Sequence, residues 1–161
     1  MQNTQEFVQM CEAFNIIGGN DKLLEKKHFV GQYDLIIEEV AEIKDEGLDA
    51  DNVEKILDGC IDGLVTIYGM LQKLEELGVD VTRAALDTAE NNLSKFIPGS
   101  RGDLLDMSIE FYAKQGITVT SQYNHEFDLF VLKDENGKIR KPMNFIPNSL
   151  AHCIPKGLEI K

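Results

Sequence analysis

Up to residue 98 the apolar positions recur at helical spacing; from residue 117 they alternate. Phe7, Val8, Cys11 and Phe14 share one face of a helix, which predicts a short amphipathic helix over 4–15 with Thr4 as its cap. Gly18-Gly19-Asn20 stop it. Phe29, Tyr33, Ile36, Ile37, Val40 and Ile43 predict a second helix over 22–44, ended by Gly47–Asp49. A third begins at Asp51, where Asp51 and Glu54 fit a capping box. Its apolar positions, from Val53 through Ile61 and Leu64 to Leu74, run unbroken to Gly78. A fourth starts near Asp80 or Thr82, ends at Pro98, and is expected to bury Ala85, Leu86, Ala89, Leu93 and Phe96.

Beyond Pro98 the pattern changes. Gly99–Gly102 reads as a loop and Asp103–Lys114 as one more helix. Ile117 and Val119 alternate with threonines in β fashion. Asn136-Gly137, between Phe127–Leu132 and Lys138–Arg140, is a strong hairpin signal. The expected fold class is all-α: a four-to-five-helix bundle over 1–98, with 99–161 adding a helix, a small C-terminal β-hairpin appendage and an irregular tail. Short loops favour antiparallel neighbours for the second and third helices. The third helix is apolar over more than half its circumference, wider than one partner covers. A homo-oligomer, dimer or tetramer, is therefore expected.

Charge narrows the partners. The chain has 161 residues, with 16 basic against 28 acidic side chains and a net charge of −12. Such a surface repels nucleic acid and anionic lipid, so neither is an expected partner. No run of apolar residues is long enough to span a membrane. The segment MQNTQEFVQM lacks a basic start and an apolar stretch, so no secretory signal is expected. Three cysteines, without metal-ligand spacing, read as reduced thiols in a cytoplasmic protein, with Cys11 and Cys60 as small buried apolar residues.

A few acids stand apart from the general surplus. Glu38, Glu39 and Glu42 lie at spacings of three and four on the second helix, among apolar neighbours. Asp58 and Asp62 lie four apart in the middle of the most apolar helix, flanked by Gly59 and Gly63. Carboxylates buried there are costly unless paired or bound to a cation, and no Lys or Arg lies between Lys55 and Lys73. Two mid-helix glycines suggest that a ligand or a facing helix approaches the backbone. With the two helices antiparallel, the acids meet near mid-bundle as an oxygen cage suited to Mg²⁺. The alternative is a carboxylate cluster held by basic side chains from elsewhere. Glu25-x-x-His28 is a lone unit of the di-iron type, without a second.

These motifs resemble the all-α nucleoside triphosphate pyrophosphohydrolase superfamily, MazG-like and phosphoribosyl-ATP pyrophosphohydrolase-like proteins of the phage and bacterial branch. Ile36–Glu42 looks like the first half of its Glu-x-x-Glu and Glu-x-x-Asp pattern, and Asp58–Gly69 like the second. Asn92-Leu93-Ser94-Lys95-Phe96 resembles the stretch that follows. One departure stands out: where the family has Glu three residues before Asp, this chain has Gly59, and the nearest acid is Asp58.

The resemblance implies Mg²⁺-dependent hydrolysis of a (deoxy)nucleoside triphosphate to monophosphate and pyrophosphate, with Mn²⁺ as an alternative metal. It implies Glu39, Glu42, Asp58 and Asp62 as ligands, with Glu54 as a further candidate should it not serve the helix cap. Glu38 and Glu39 are the catalytic pair, Glu38 orienting or deprotonating the water. Asn92 would contact base or ribose and Lys95 phosphate, against the plainer reading of Lys95 as a cation at a helix C-terminus. Lys138, Arg140 and Lys141 close over phosphates or form a solvated hairpin. Phe7 and Phe14 are candidates for a base-pocket wall. The competing function is a non-catalytic helical oligomer that binds nucleotide or metal.

Overall fold

The structure is a computed structural model that describes residues 4–161. Met1–Asn3, the start of the segment read for a secretory signal, lie outside the described residues. Five α-helices and four strands occur among them. In chain order these are α1 (Thr4–Ile17), α2 (Lys26–Glu42), α3 (Val53–Glu76), α4 (Val81–Leu93), β1 (Ile97–Pro98), α5 (Gly102–Ala113), β2 (Val119–Asn124), β3 (Leu129–Asp134) and β4 (Ile139–Arg140). No helix of the described residues is long and apolar enough to cross a membrane.

The fold class is mixed, which corrects the all-α expectation. Helix takes 56% of the described residues and strand 10%, but the strands form a sheet rather than a hairpin appendage. β2 pairs antiparallel with β3 along its whole length, from Val119↔Asp134 to Asn124↔Leu129. β1 and β4 share the opposite edge of β3, through Ile97↔Phe130 and Leu132↔Arg140. The physical reason is that β3 carries apolar residues on consecutive positions and so needs cover on both faces. Helix α5 supplies one cover. Ile97, Leu104, Leu105 and Leu132 form a buried cluster there, with Ile109, Val119 and Phe130 packed against it.

Three local expectations are corrected as well. The cap of α3 is Asn52, whose side chain accepts from the Lys55 N–H at 3.2 Å. Asp51 has φ +51° and lies outside the extended conformation an N-cap adopts. The fourth helix stops at Leu93, and Ile97–Pro98 join the sheet. Ala85, Leu86, Ala89 and Leu93 are exposed, because the buried cluster on the sheet is closed by α5. Cys60 is exposed on α3, whereas Cys11 is buried on α1.

The chain divides into two compact units, one running to Val81 and including His152–Lys161, the other Thr82–Ala151. In the first unit α2 and α3 are antiparallel and Phe7 of α1 packs edge-on against Tyr68 of α3. Its buried side chains are largely polar: Asn15, Asp21, Gln32, Gln72 and Lys73 beside Cys11, Phe29 and Cys153. The Lys73 ammonium donates to the carbonyl oxygens of Asn20 and Leu23, fastening the α1–α2 connection to α3. Burial pushes its pKa down, against the nearby charge of Asp21.

Candidate functional site

The seam between α2 and α3 is lined by glycine. Gly59, Gly63 and Gly69 of α3 are all buried. A Cβ on Gly59 would lie 2.8 Å from Ile43 Cγ1 and 3.4 Å from the Glu39 carbonyl oxygen. One on Gly69 would lie 2.9 Å from Gln32 Nε2, which itself donates to the Thr66 carbonyl at 2.9 Å. The facing backbone is therefore that of α2, and the absence of side chains on α3 lets the two helices approach. Gln32 opposite Thr66, Glu39 opposite Gly63 and Ile43 opposite Gly59 fix the antiparallel register. Gln32 was not singled out from sequence. Its spacing of seven and eleven to Glu39 and Ile43 places all three on one helical face.

This register brings the acids of both helices around Glu39. Its carboxyl is pushed above the ordinary glutamate value, first by burial and then by the charges of Asp62, Glu42, Glu38 and Asp58. Glu39 and Glu42 are half-buried, while Glu38, Asp58 and Asp62 are exposed. The aspartates thus avoid the burial cost that their place in an apolar helix suggested.

Neutralisation is uneven. Lys55 Nζ lies 3.2 Å from Asp58 and 3.6 Å from Glu46. Lys55 is three residues before Asp58, so the pairing is an ordinary contact along one helix. Glu38, Glu39, Glu42 and Asp62 have no ion pair among the described residues. Among those residues, no three of the five acids bring one oxygen each within 4.8 Å of one another. They flank a space without closing it.

The donor set suits a hard divalent cation: carboxylate oxygens, at least two of them on exposed side chains free to turn, and surplus negative charge that a cation would relieve. Glu39, Glu42 and Asp62 would hold it, with Asp58 available only in competition with Lys55.

Asn92 and Lys95 belong to the second unit, where the Lys95 ammonium donates to Asn92 Oδ1 at 2.6 Å. Arg140 is committed to the sheet, its guanidinium 2.7 Å from the buried Asp134 carboxylate. Burial works against the Asp134 anion, but the Lys138 and Asn136 N–H groups and Arg140 prevail and hold its pKa below the ordinary range. Lys141 lies over the Phe145 ring. Glu25 pairs with Lys27 at 2.9 Å, and the His28 Nδ1 is buried without a hydrogen-bond partner. Phe14 is exposed.

No protein-family model, curated protein or solved structure matches this chain.

Proposed function

We propose that this chain is a Mg²⁺-dependent nucleoside triphosphate pyrophosphohydrolase, converting a (deoxy)nucleoside triphosphate and water to the monophosphate and pyrophosphate. One observation carries the reading: four acids from two helices act on the half-buried Glu39, and none of Glu38, Glu39, Glu42 and Asp62 is paired with a base among the described residues. Evenly solvated surface charge does not concentrate in this way at a close helix seam. The chemistry such a cation supplies is Lewis acidity, and countercharge for a triphosphate that an acidic surface otherwise repels.

The roles of the side chains follow from exposure and position. Glu39, Glu42 and Asp62 hold the metal. Glu38 is exposed, one residue from Glu39, and accepts the proton of the attacking water. The water oxygen bonds to the α-phosphorus, the bond to the bridging oxygen breaks, and pyrophosphate leaves. The partner is a second copy of the chain, meeting it across the exposed stripe Leu57, Ile61, Leu64 and Ile67 of α3. The three cysteines, none joined in a disulfide among the described residues, suit a cytoplasmic protein.

A second reading is a non-catalytic helical oligomer that binds nucleotide or metal. The Lys55–Asp58 pair favours it, because it engages one of the two α3 acids that act on Glu39. Pyrophosphate release from each canonical NTP and dNTP, with Mg²⁺ and with chelator, separates the two. Metal-dependent release supports the hydrolase; saturable nucleotide binding without release supports the second reading.

A further inference from the structure

The second unit holds a cavity that the hydrolase reading does not use. Phe96, Phe127, Leu129, Val131 and Leu93 wall a half-enclosed space of about 280 Å³, with Asn124 as its polar member. The floor is the face of β3 turned away from α5. Strand alternation puts Leu129, Val131 and Lys133 on that side and Phe130, Leu132 and Asp134 on the other.

Phe127 is 64% exposed, yet the turn that carries it is braced from several sides. Asn124 Oδ1 accepts from the N–H groups of Glu126 and Phe127 at 3.0 and 3.2 Å. Asp128, at φ +52°, receives the Tyr123 hydroxyl on its carboxylate and the Gly99 N–H on its carbonyl. A Cβ at Gly99 would overlap that carboxylate, so only glycine admits the contact. An exposed aromatic ring held by a fixed turn over an aliphatic floor is preorganised for a flat ring.

Two polar groups add direction. The Asn124 side-chain amide N–H₂ has no acceptor among the described residues. Lys133, on the same face and two positions beyond Val131, has no ion pair among them. In a chain of net charge −12, an ammonium without an ion pair among the described residues, on the strand face that continues the cavity floor though outside its wall, favours an anion.

We propose that this face of the sheet binds a small aromatic anion, its ring between Phe127 and the Leu129–Val131 floor and its anionic group toward Lys133. The inference does not rest on the acid seam.

The test uses the full chain and two probes of similar ring size. These are 8-anilino-1-naphthalenesulfonate, which is anionic, and N-phenyl-1-naphthylamine, which is neutral. Fluorescence titration should show saturable one-site binding of both. Phe127→Ala should weaken both about fivefold, and Lys133→Gln should weaken only the sulfonate, about threefold. Both variants lie outside the buried cluster and should keep the parent's unfolding midpoint. Sulfonate binding that neither substitution changes, or the absence of saturation, overturns the proposal. Equal weakening of both probes by Lys133→Gln overturns its ionic part.

Discussion

Gly63 of α3 lies directly against Glu39 of α2: a Cβ on the glycine would sit 3.8 Å from the Cβ of the glutamate. One turn earlier, Gly59 lies against the Glu39 carbonyl and Ile43, with less room. The two glycines that flank the acids thus differ in what an added methyl would meet.

That difference predicts opposite signs. Gly63→Ala gains helix propensity at ordinary contact distance and should stabilise the protein by about 0.5–1 kcal/mol. Gly59→Ala drives a methyl into Ile43 Cγ1, close to the backbone and slow to yield. It should destabilise by about 1–2 kcal/mol despite the same propensity gain. Urea unfolding of both variants measures this directly, and a stabilised Gly59→Ala would show the seam to be looser than described.

The acids should not be equivalent in activity. Glu39→Gln, Glu42→Gln and Asp62→Asn each remove a group with no basic partner and are expected to lower metal-dependent pyrophosphate release by about a hundredfold or more. Asp58→Asn removes a carboxylate already paired with Lys55 and should cost less than about tenfold. Steady-state rates at saturating Mg²⁺ make the comparison. Equal losses at Asp58 and Asp62 would mean that the ion pair opens in the working enzyme.

Stability should depend on pH in a way that metal reverses. The folded-state pKa of Glu39 is raised, so its contribution is fully present below the ordinary glutamate value, about 4.3, and is lost as pH rises through the raised value. Glu75 shifts in the same direction, through burial and the charges of Glu12, Asp80 and Glu76. In chelator, the melting temperature should therefore fall between mildly acidic and neutral pH. Mg²⁺ should raise it at neutral pH and do little in acid. Glu39→Gln should flatten part of the curve and leave the share due to Glu75. Identical melting curves with Mg²⁺ and chelator at neutral pH would count against a cation at the seam.

The outward stripe of α3 predicts self-association. Leu57 is 62% exposed, and Ile61, Leu64 and Ile67 continue the row. Sedimentation should give at least twice the 18.1 kDa chain mass, and Leu64→Glu, a charge in the middle of the row, should reduce it to that of one chain. Unchanged mass in the variant would place the contact elsewhere.

Helix positions and the pairing of acids were legible in the sequence because both depend on local periodicity. Apolar residues at spacings of three and four mark helical faces, and the same spacing aligns Glu39 with Glu42 and Asp58 with Asp62. Sheet pairing is set by partners far apart in the chain, which the apolar run of β3 does not name. Local periodicity therefore carries the fourth helix through Ile97–Pro98, which in the structure pair with Leu129–Phe130, and gives an all-α class where the fold is mixed. The capping residue was misplaced by one position, since Asp51 and Asn52 differ as caps only through a backbone angle.

What the sequence determined by itself is the set of local rules: where helices run, where glycine interrupts them, which carboxylates share a face. Only the tertiary structure decided which groups meet across elements: α2 filling the space left by Gly59 and Gly63, the acids of α2 and α3 gathering around Glu39, and a braced turn holding Phe127 over β3. Periodicity is a property of neighbours along the chain, whereas contact and burial between elements depend on distances through space that no spacing rule encodes.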